Sequence, residues 1–175
     1  YSVSCIAGKR DIMQLGSIEF SGKERTFLLS TTHGAEMSSL GAFIETIKFM
    51  KKKSVVKHIW AYGKKLQKIF KTLIKTYGLE ENFIIEGPLC SPIYYLLDNE
   101  GKISLELRTL FAQEMIKNNI LMPYIALCYH HGEKELKLTR NALKKVFPIL
   151  KKALDNNVHD YLDGDVIKPV FRKYN

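Results

Sequence analysis

The sequence predicts a mixed α/β plus α+β architecture: the end of an α/β domain, followed by a small α+β domain. Three observations predict it. Strand-like stretches alternate with helical patterns from the start of the chain. A long amphipathic pattern stops at Gly78, a residue suited to end a helix and act as a hinge. Beyond it the texture changes to short apolar runs punctuated by Gly87-Pro88 and Ser91-Pro92. The expected division is therefore 1–78 and 79–175.

Each element has its own signal. Residues 1–7 read as a strand, 11–15 as a short turn or helix, and Ser21-Gly22-Lys23-Glu24 as a turn. Residues 26–30 form a short apolar run, the pattern of a buried strand. In 35–51 the apolar positions Leu40, Phe43, Ile44, Ile47 and Met50 recur at helical spacing. The pattern over 58–77 places Ile59, Trp60, Gly63, Leu66, Ile69, Phe70, Leu73, Ile74 and Tyr77 at three- and four-residue steps, with lysines between them. After Gly78, 83–86 and 93–97 read as strands, and Asp98-Asn99-Glu100-Gly101 as a turn. Leu107, Leu110, Phe111 and Met115 mark a helix that Asn118-Asn119 ends. Residues 124–130 read as a further strand. A long helix is expected from Glu133, with Pro148 kinking or splitting it.

Composition narrows the function classes. A chain of 175 residues with 46% hydrophobic content is long enough to bury a core. Its apolar runs are too short for a membrane span, and no basic start with an apolar centre marks a signal peptide, so a cytoplasmic protein is expected. Cys5, Cys90 and Cys128 are far apart and odd in number, which argues against a zinc site or a disulfide framework and for buried thiols. No metal site is expected. The net charge of +9 comes mostly from lysine. In 58–77 the lysines form a solvated helical face without interleaved aromatics, which argues against a stacking platform for nucleic acid. Weak, salt-sensitive, sequence-blind association with DNA or RNA is the expectation.

The segment Ser30-Thr31-Thr32-His33-Gly34-Ala35-Glu36 sits between an apolar run and a helical pattern. Hydroxyls, backbone N–H groups and a positive helix end at such a junction suit a phosphate. An ordinary Ser/Thr helix cap gives the same pattern. His130-His131 precedes Gly132 and can be either a site pair or a turn. His159-Asp160 and Asp163-Gly164-Asp165 have the composition of surface loops. The chain has no Gly-rich phosphate loop, no His-Glu-x-x-His helix and no Gly-x-Ser-x-Gly elbow.

Four segments carry a resemblance that spans nearly the whole chain in order: Ser4-Cys5-Ile6-Ala7-Gly8-Lys9-Arg10-Asp11-Ile12-Met13, the Ser30 to Glu36 segment, LRTLFAQEMIKNNIL from Leu107 to Leu121, and Lys168-Pro169-Val170-Phe171-Arg172. Together they resemble class III pyridoxal-phosphate-dependent aminotransferases, in the branch that includes glutamate-1-semialdehyde aminomutase, over the part that follows the cofactor lysine. The resemblance implies the end of a fold-type-I large domain over 1–78, then the small C-terminal domain over 79–175. It implies pyridoxal 5'-phosphate as cofactor, a small-molecule amino donor, a carbonyl acceptor, and a homodimer whose active sites are shared across the interface.

By the same resemblance no catalytic residue lies in this chain. The Schiff-base lysine is expected upstream of Tyr1, so Lys9 is not that lysine. Thr31, with Thr32 as its neighbour, matches the threonine that reaches the cofactor phosphate across the dimer interface. His131 resembles the histidine that opens the last long helix, near the substrate side. Gly34-Ala35-Glu36 departs from the Gly-Asn-Pro-like trio common among the aminomutases. The departure favours an aminotransferase acting on an aldehyde or keto compound over the aminomutase. A non-catalytic basic binding domain is the alternative from another class.

Overall fold

The computed structural model describes residues 3–17, 19, 22, 24–25 and 36–168. Its chain divides into two compact units, Tyr1–Val55 and Val56–Asn175. The helical stretch of 58–77, grouped with the first part by the sequence reading, thus belongs with the second unit.

In the first unit, α1 (Arg10–Met13) continues into a 3-10 turn over Gln14–Gly16, and α2 spans Met37–Lys52. The expected helix at 35–51 is therefore present with slightly shifted ends. The strand expected over 1–7 is absent from its described residues, 3–7, which have no regular structure. A strand needs a ladder partner for its backbone groups, and the two strands of the described chain lie elsewhere. The strand expected at 26–30, together with Thr31 and Thr32, lies outside the described residues.

The second unit is built from α3 (Val55–Thr76), β1 (Phe83–Glu86), β2 (Ile93–Leu96), α4 (Leu105–Lys117) and α5 (Glu133–Leu154), followed by a 3-10 turn over Val158–Tyr161. α3 ends as Gly78 allows. With φ of +63°, Gly78 turns the chain so that the Leu79 N–H donates back to the Ile74 carbonyl at 3.0 Å and its own N–H to Lys75 at 3.4 Å. α4 ends in the same way, with Asn119 at φ +61° and the Ile120 N–H on the Met115 carbonyl. Ser104 caps its start by accepting the Leu107 N–H at 3.1 Å.

β1 and β2 form an antiparallel hairpin, Phe83 opposite Leu96 and Glu86 opposite Ile93. The inward side chains of α3, α4 and α5 cover it. Phe83 lies at the centre, its ring 5.7 Å from Phe70, 5.1 Å from Phe111 and 5.2 Å from Phe147. Each helix thus contributes one aromatic to the same β1 side chain, in the tilted and edge-on geometries that aromatic pairs favour. Leu66, Leu110, Met115, Leu143, Val146 and Leu150 fill the space around this cluster and are essentially inaccessible.

Four expectations are corrected here. Residues 124–130 are not a strand but part of an irregular crossing segment over 120–130, which the Tyr94 hydroxyl holds by donating to the Met122 carbonyl at 2.6 Å. Pro123 immediately precedes the apolar run that suggested a strand, and Tyr124 at its start is exposed. Pro148 does not split the last helix: α5 runs unbroken for 22 residues. Cys5 and Cys128 are exposed and Cys90 is half-buried, so the thiols are not core residues. The pair His130-His131 follows this irregular segment and not a strand end.

Among the described residues no helix is long and apolar enough to cross a membrane, and no cluster of His, Cys, Asp and Glu is set to hold a metal ion. His159 and Asp160 are exposed on the last 3-10 turn. Asp163 is tied to the body by Lys117 at 2.8 Å and by its own N–H on the Gln113 side chain. These residues close a surface loop, as their composition suggested.

Candidate functional site

The described site residue with the most developed surroundings is His131. It follows the crossing segment and sits one residue before the N-cap of α5. Its ring Nδ1 accepts the Cys128 N–H at 3.3 Å, and its own N–H donates back to the Cys128 carbonyl at 3.2 Å. In the neutral ring this places the proton on Nε2. The His131 carbonyl accepts from Nε2 of His58 at 2.9 Å, which fastens the turn to α3.

α3 supplies one wall. His58, Tyr62 and Leu66 recur every four residues and therefore share one face. The Tyr62 ring lies 5.4 Å from that of His131 and 6.3 Å from that of His58. The half-buried Tyr129 closes edge-on against His58 at 5.4 Å. Gly63, beside this stripe, lets the 87–92 loop close onto the helix. A Cβ there would stand 1.7 Å from the Leu89 carbonyl oxygen and 2.9 Å from Leu127 Cδ1. Glycine is required here for close approach, not for its φ.

α5 supplies the second wall through Glu135, Leu138 and Thr139. Glu135 accepts the Gly132 N–H at 2.8 Å. Gly132 has no side chain to return the bond, so only the glutamate half of a capping box is present. The N–H groups of Gly132 and of Glu135 itself hold this carboxyl below the usual carboxylate range. Between the walls lies a cleft of about 310 Å³, completed by Ile120, Met122 and Leu127 from the crossing segment. Tyr62 and Thr139 are its buried polar residues. Burial first, then the negative charges of Glu135, Cys128 and Glu133, push the Tyr62 phenol up to about 12. The cleft thus joins apolar walls to a neutral hydroxyl, an imidazole and a carboxylate. That set suits a small substrate with an apolar body and a polar or cationic end.

The cleft does not fit a cofactor phosphate. No lysine or arginine lines it, and Glu135 would repel the dianion. Lys9 is exposed and occupies the N-cap of α1, its carbonyl accepting the N–H groups of Ile12 and Met13. His130 is exposed and does not line the cleft. Sequence reasoning missed Tyr62, His58 and Glu135. The four-residue recurrence of His58, Tyr62 and Leu66 and the three-residue step from Gly132 to Glu135 were the available signals. The helical pattern and the lysine face of α3 drew attention away from them.

Comparison with known proteins gives one informative relative. The chain is 25% identical over 157 residues to a 3-aminobutyryl-CoA aminotransferase of Cloacimonas acidaminovorans (strain Evry). The match covers 88% of this chain and 36% of the relative, so the chain spans little more than a third of that protein's length. No family model matches the sequence. No solved structure matches it.

Proposed function

We propose that this chain is part of a pyridoxal-phosphate-dependent aminotransferase that moves an amino group from an amine or amino acid to an aldehyde or keto acceptor. The observation that carries this reading is the ordered similarity to an aminotransferase across 88% of the chain. The cofactor supplies the electron sink for amino transfer, and the protein supplies binding and orientation. Thr31, with Thr32 beside it, is proposed to anchor the cofactor phosphate across a homodimer interface.

The Tyr62–His131 cleft is proposed as the substrate-side surface. Its apolar walls exclude water from the substrate's body. The Nε2 proton of His131 and the hydroxyl of Tyr62 orient a substrate carbonyl or carboxylate by donating to it, and Glu135 favours a cationic amine. The experiment is steady-state amino transfer by the full-length gene product, supplied with pyridoxal phosphate and offered β-amino and α-amino donors against a panel of aldehydes and keto acids. Turnover that requires the cofactor is the expected result. Absence of amino transfer from every donor by a folded, cofactor-supplied protein would sink the reading.

A further inference from the structure

A second concavity lies farther along α3, and its lining shares no residue with the Tyr62–His131 cleft. It is a groove of about 800 Å³ between α3 and α5, unrelated to the Tyr62–His131 cleft. α3 lines it with Lys65, Lys68 and Thr72, and α5 with Glu133, Lys137, Arg140, Asn141 and Lys144. The two helices run in the same direction here. Lys65 pairs with Glu133 near one end, and the Tyr77 hydroxyl reaches the Lys144 carbonyl at the other. From the 1.5 Å rise per residue the cations span about 5 Å along α3 and about 10 Å along α5.

Five cations therefore face one trough that has a single carboxylate. Lys68, Lys137, Arg140 and Lys144 have no acidic partner among the described residues. Like charges so arranged repel one another, and a multivalent anion would relieve the repulsion. The floor decides what kind of anion. Ile69, Leu73 and Leu136 are 7%, 7% and 4% exposed, so no apolar seat remains for an amphipathic helix or a lipid tail. The lining has no aromatic on which a nucleobase chain could stack. The volume falls in the range of small-molecule sites. Thr72 and Asn141 add neutral donors among the charges.

We propose that this groove binds a small molecule carrying two or three linked phosphates, the chemistry shared by nucleoside polyphosphates and inorganic polyphosphate. Glu133 orients it. The phosphates lie along Lys68, Lys137, Arg140 and Lys144, clear of the Glu133 carboxylate.

Tripolyphosphate is the probe. Calorimetric titration of the full-length protein should show saturable one-site binding that weakens as salt rises, with inorganic phosphate and sulfate much weaker. The double variant Lys68→Gln, Arg140→Gln should lose at least about tenfold in affinity, because charge-assisted hydrogen bonds are removed. Lys75→Gln, Lys152→Gln, which changes net charge equally outside the groove, should stay within about twofold. A second measurement needs no variant: amine acylation followed by mass spectrometry should show Lys68, Lys137 and Lys144 protected by tripolyphosphate and Lys75 and Lys152 not. Equal loss in both variants, uniform protection of all lysines, absence of saturable binding, or tighter binding of an acidic peptide or an oligonucleotide would each overturn the proposal.

Discussion

The Tyr77 hydroxyl donates to the backbone carbonyl of Lys144 at 3.2 Å, and that carbonyl is the one Pro148 leaves without its helical donor four residues on. Proline inside a helix costs stability through this lost bond and through its ring's clash with the preceding turn. Here a side chain from just beyond α3 replaces the donor, while the Tyr77 ring packs edge-on against Phe147 at 6.3 Å. α5 thereby stays continuous, and both walls of the cleft keep their spacing.

Tyr77→Phe should therefore lower stability by about 0.5–1.5 kcal/mol, the usual cost of one such hydrogen bond. With Pro148→Ala the backbone can supply the donor itself, so Tyr77→Phe should cost clearly less in that background. Denaturant midpoints in a double-mutant cycle measure the difference. Equal costs in both backgrounds would show that the hydroxyl does not substitute for the missing N–H.

Gly63→Ala is expected to destabilise by about 1–3 kcal/mol or more, despite alanine's better helix propensity, because the new methyl meets the Leu89 backbone. Gly41→Ala in α2, where a Cβ meets nothing within 4 Å, should instead stabilise by about 0.5–1 kcal/mol. Thermal unfolding of the two variants decides it. A Gly63→Ala protein as stable as the parent would mean that the 87–92 loop does not close on α3 as described.

The phenols of Tyr62 and Tyr94 are both pushed up to about 12, mainly by burial. The neutral form is thus favoured in the folded state. Their contribution is complete below the ordinary value of 10.0 and is lost as pH rises through about 12. Phenolate absorbance should reveal tyrosines that ionise late, together with unfolding, between these values. Tyr62→Phe should shift this base-induced transition upward, and a transition unmoved by the substitution would contradict the burial argument.

Replacing His131 separates a substrate-side role from a purely structural one. His131→Asn keeps a hydrogen-bonding side chain near the Cys128 N–H but cannot reproduce the imidazole Nε2 donor proposed to meet the substrate. Activity of the full-length protein should fall by about ten- to a hundredfold in kcat/KM, with the unfolding midpoint nearly unchanged. A variant that loses stability while keeping kcat/KM would make His131 a clasp for the turn and nothing more.

How much was legible in the sequence follows from where the signals are local. The strands at Phe83 and Ile93, the stop at Gly78 and the end of α4 at Asn119 each depend on a few consecutive residues, and each is present. Long periodicity marked α3 and α5 for the same reason. The strand reading of 124–130 failed because an apolar run records burial but not pairing, and this run covers the core through Ile125 without joining the hairpin. Pro148 misled because the donor that replaces its missing N–H, the Tyr77 hydroxyl, comes from just beyond α3, 67 residues before the Lys144 whose carbonyl it reaches. His131 was legible as a candidate, whereas Tyr62 and Glu135 become part of a site only when α3 and α5 are brought side by side.

The most direct measurement follows the visible absorbance of pyridoxal phosphate bound to the full-length protein. Adding an amino donor alone should convert the cofactor spectrum in a single turnover, and adding a carbonyl acceptor should restore it with release of the aminated product. This two-step return is what amino transfer requires. A cofactor spectrum that no donor changes, or a protein that binds no pyridoxal phosphate at all, would contradict the account.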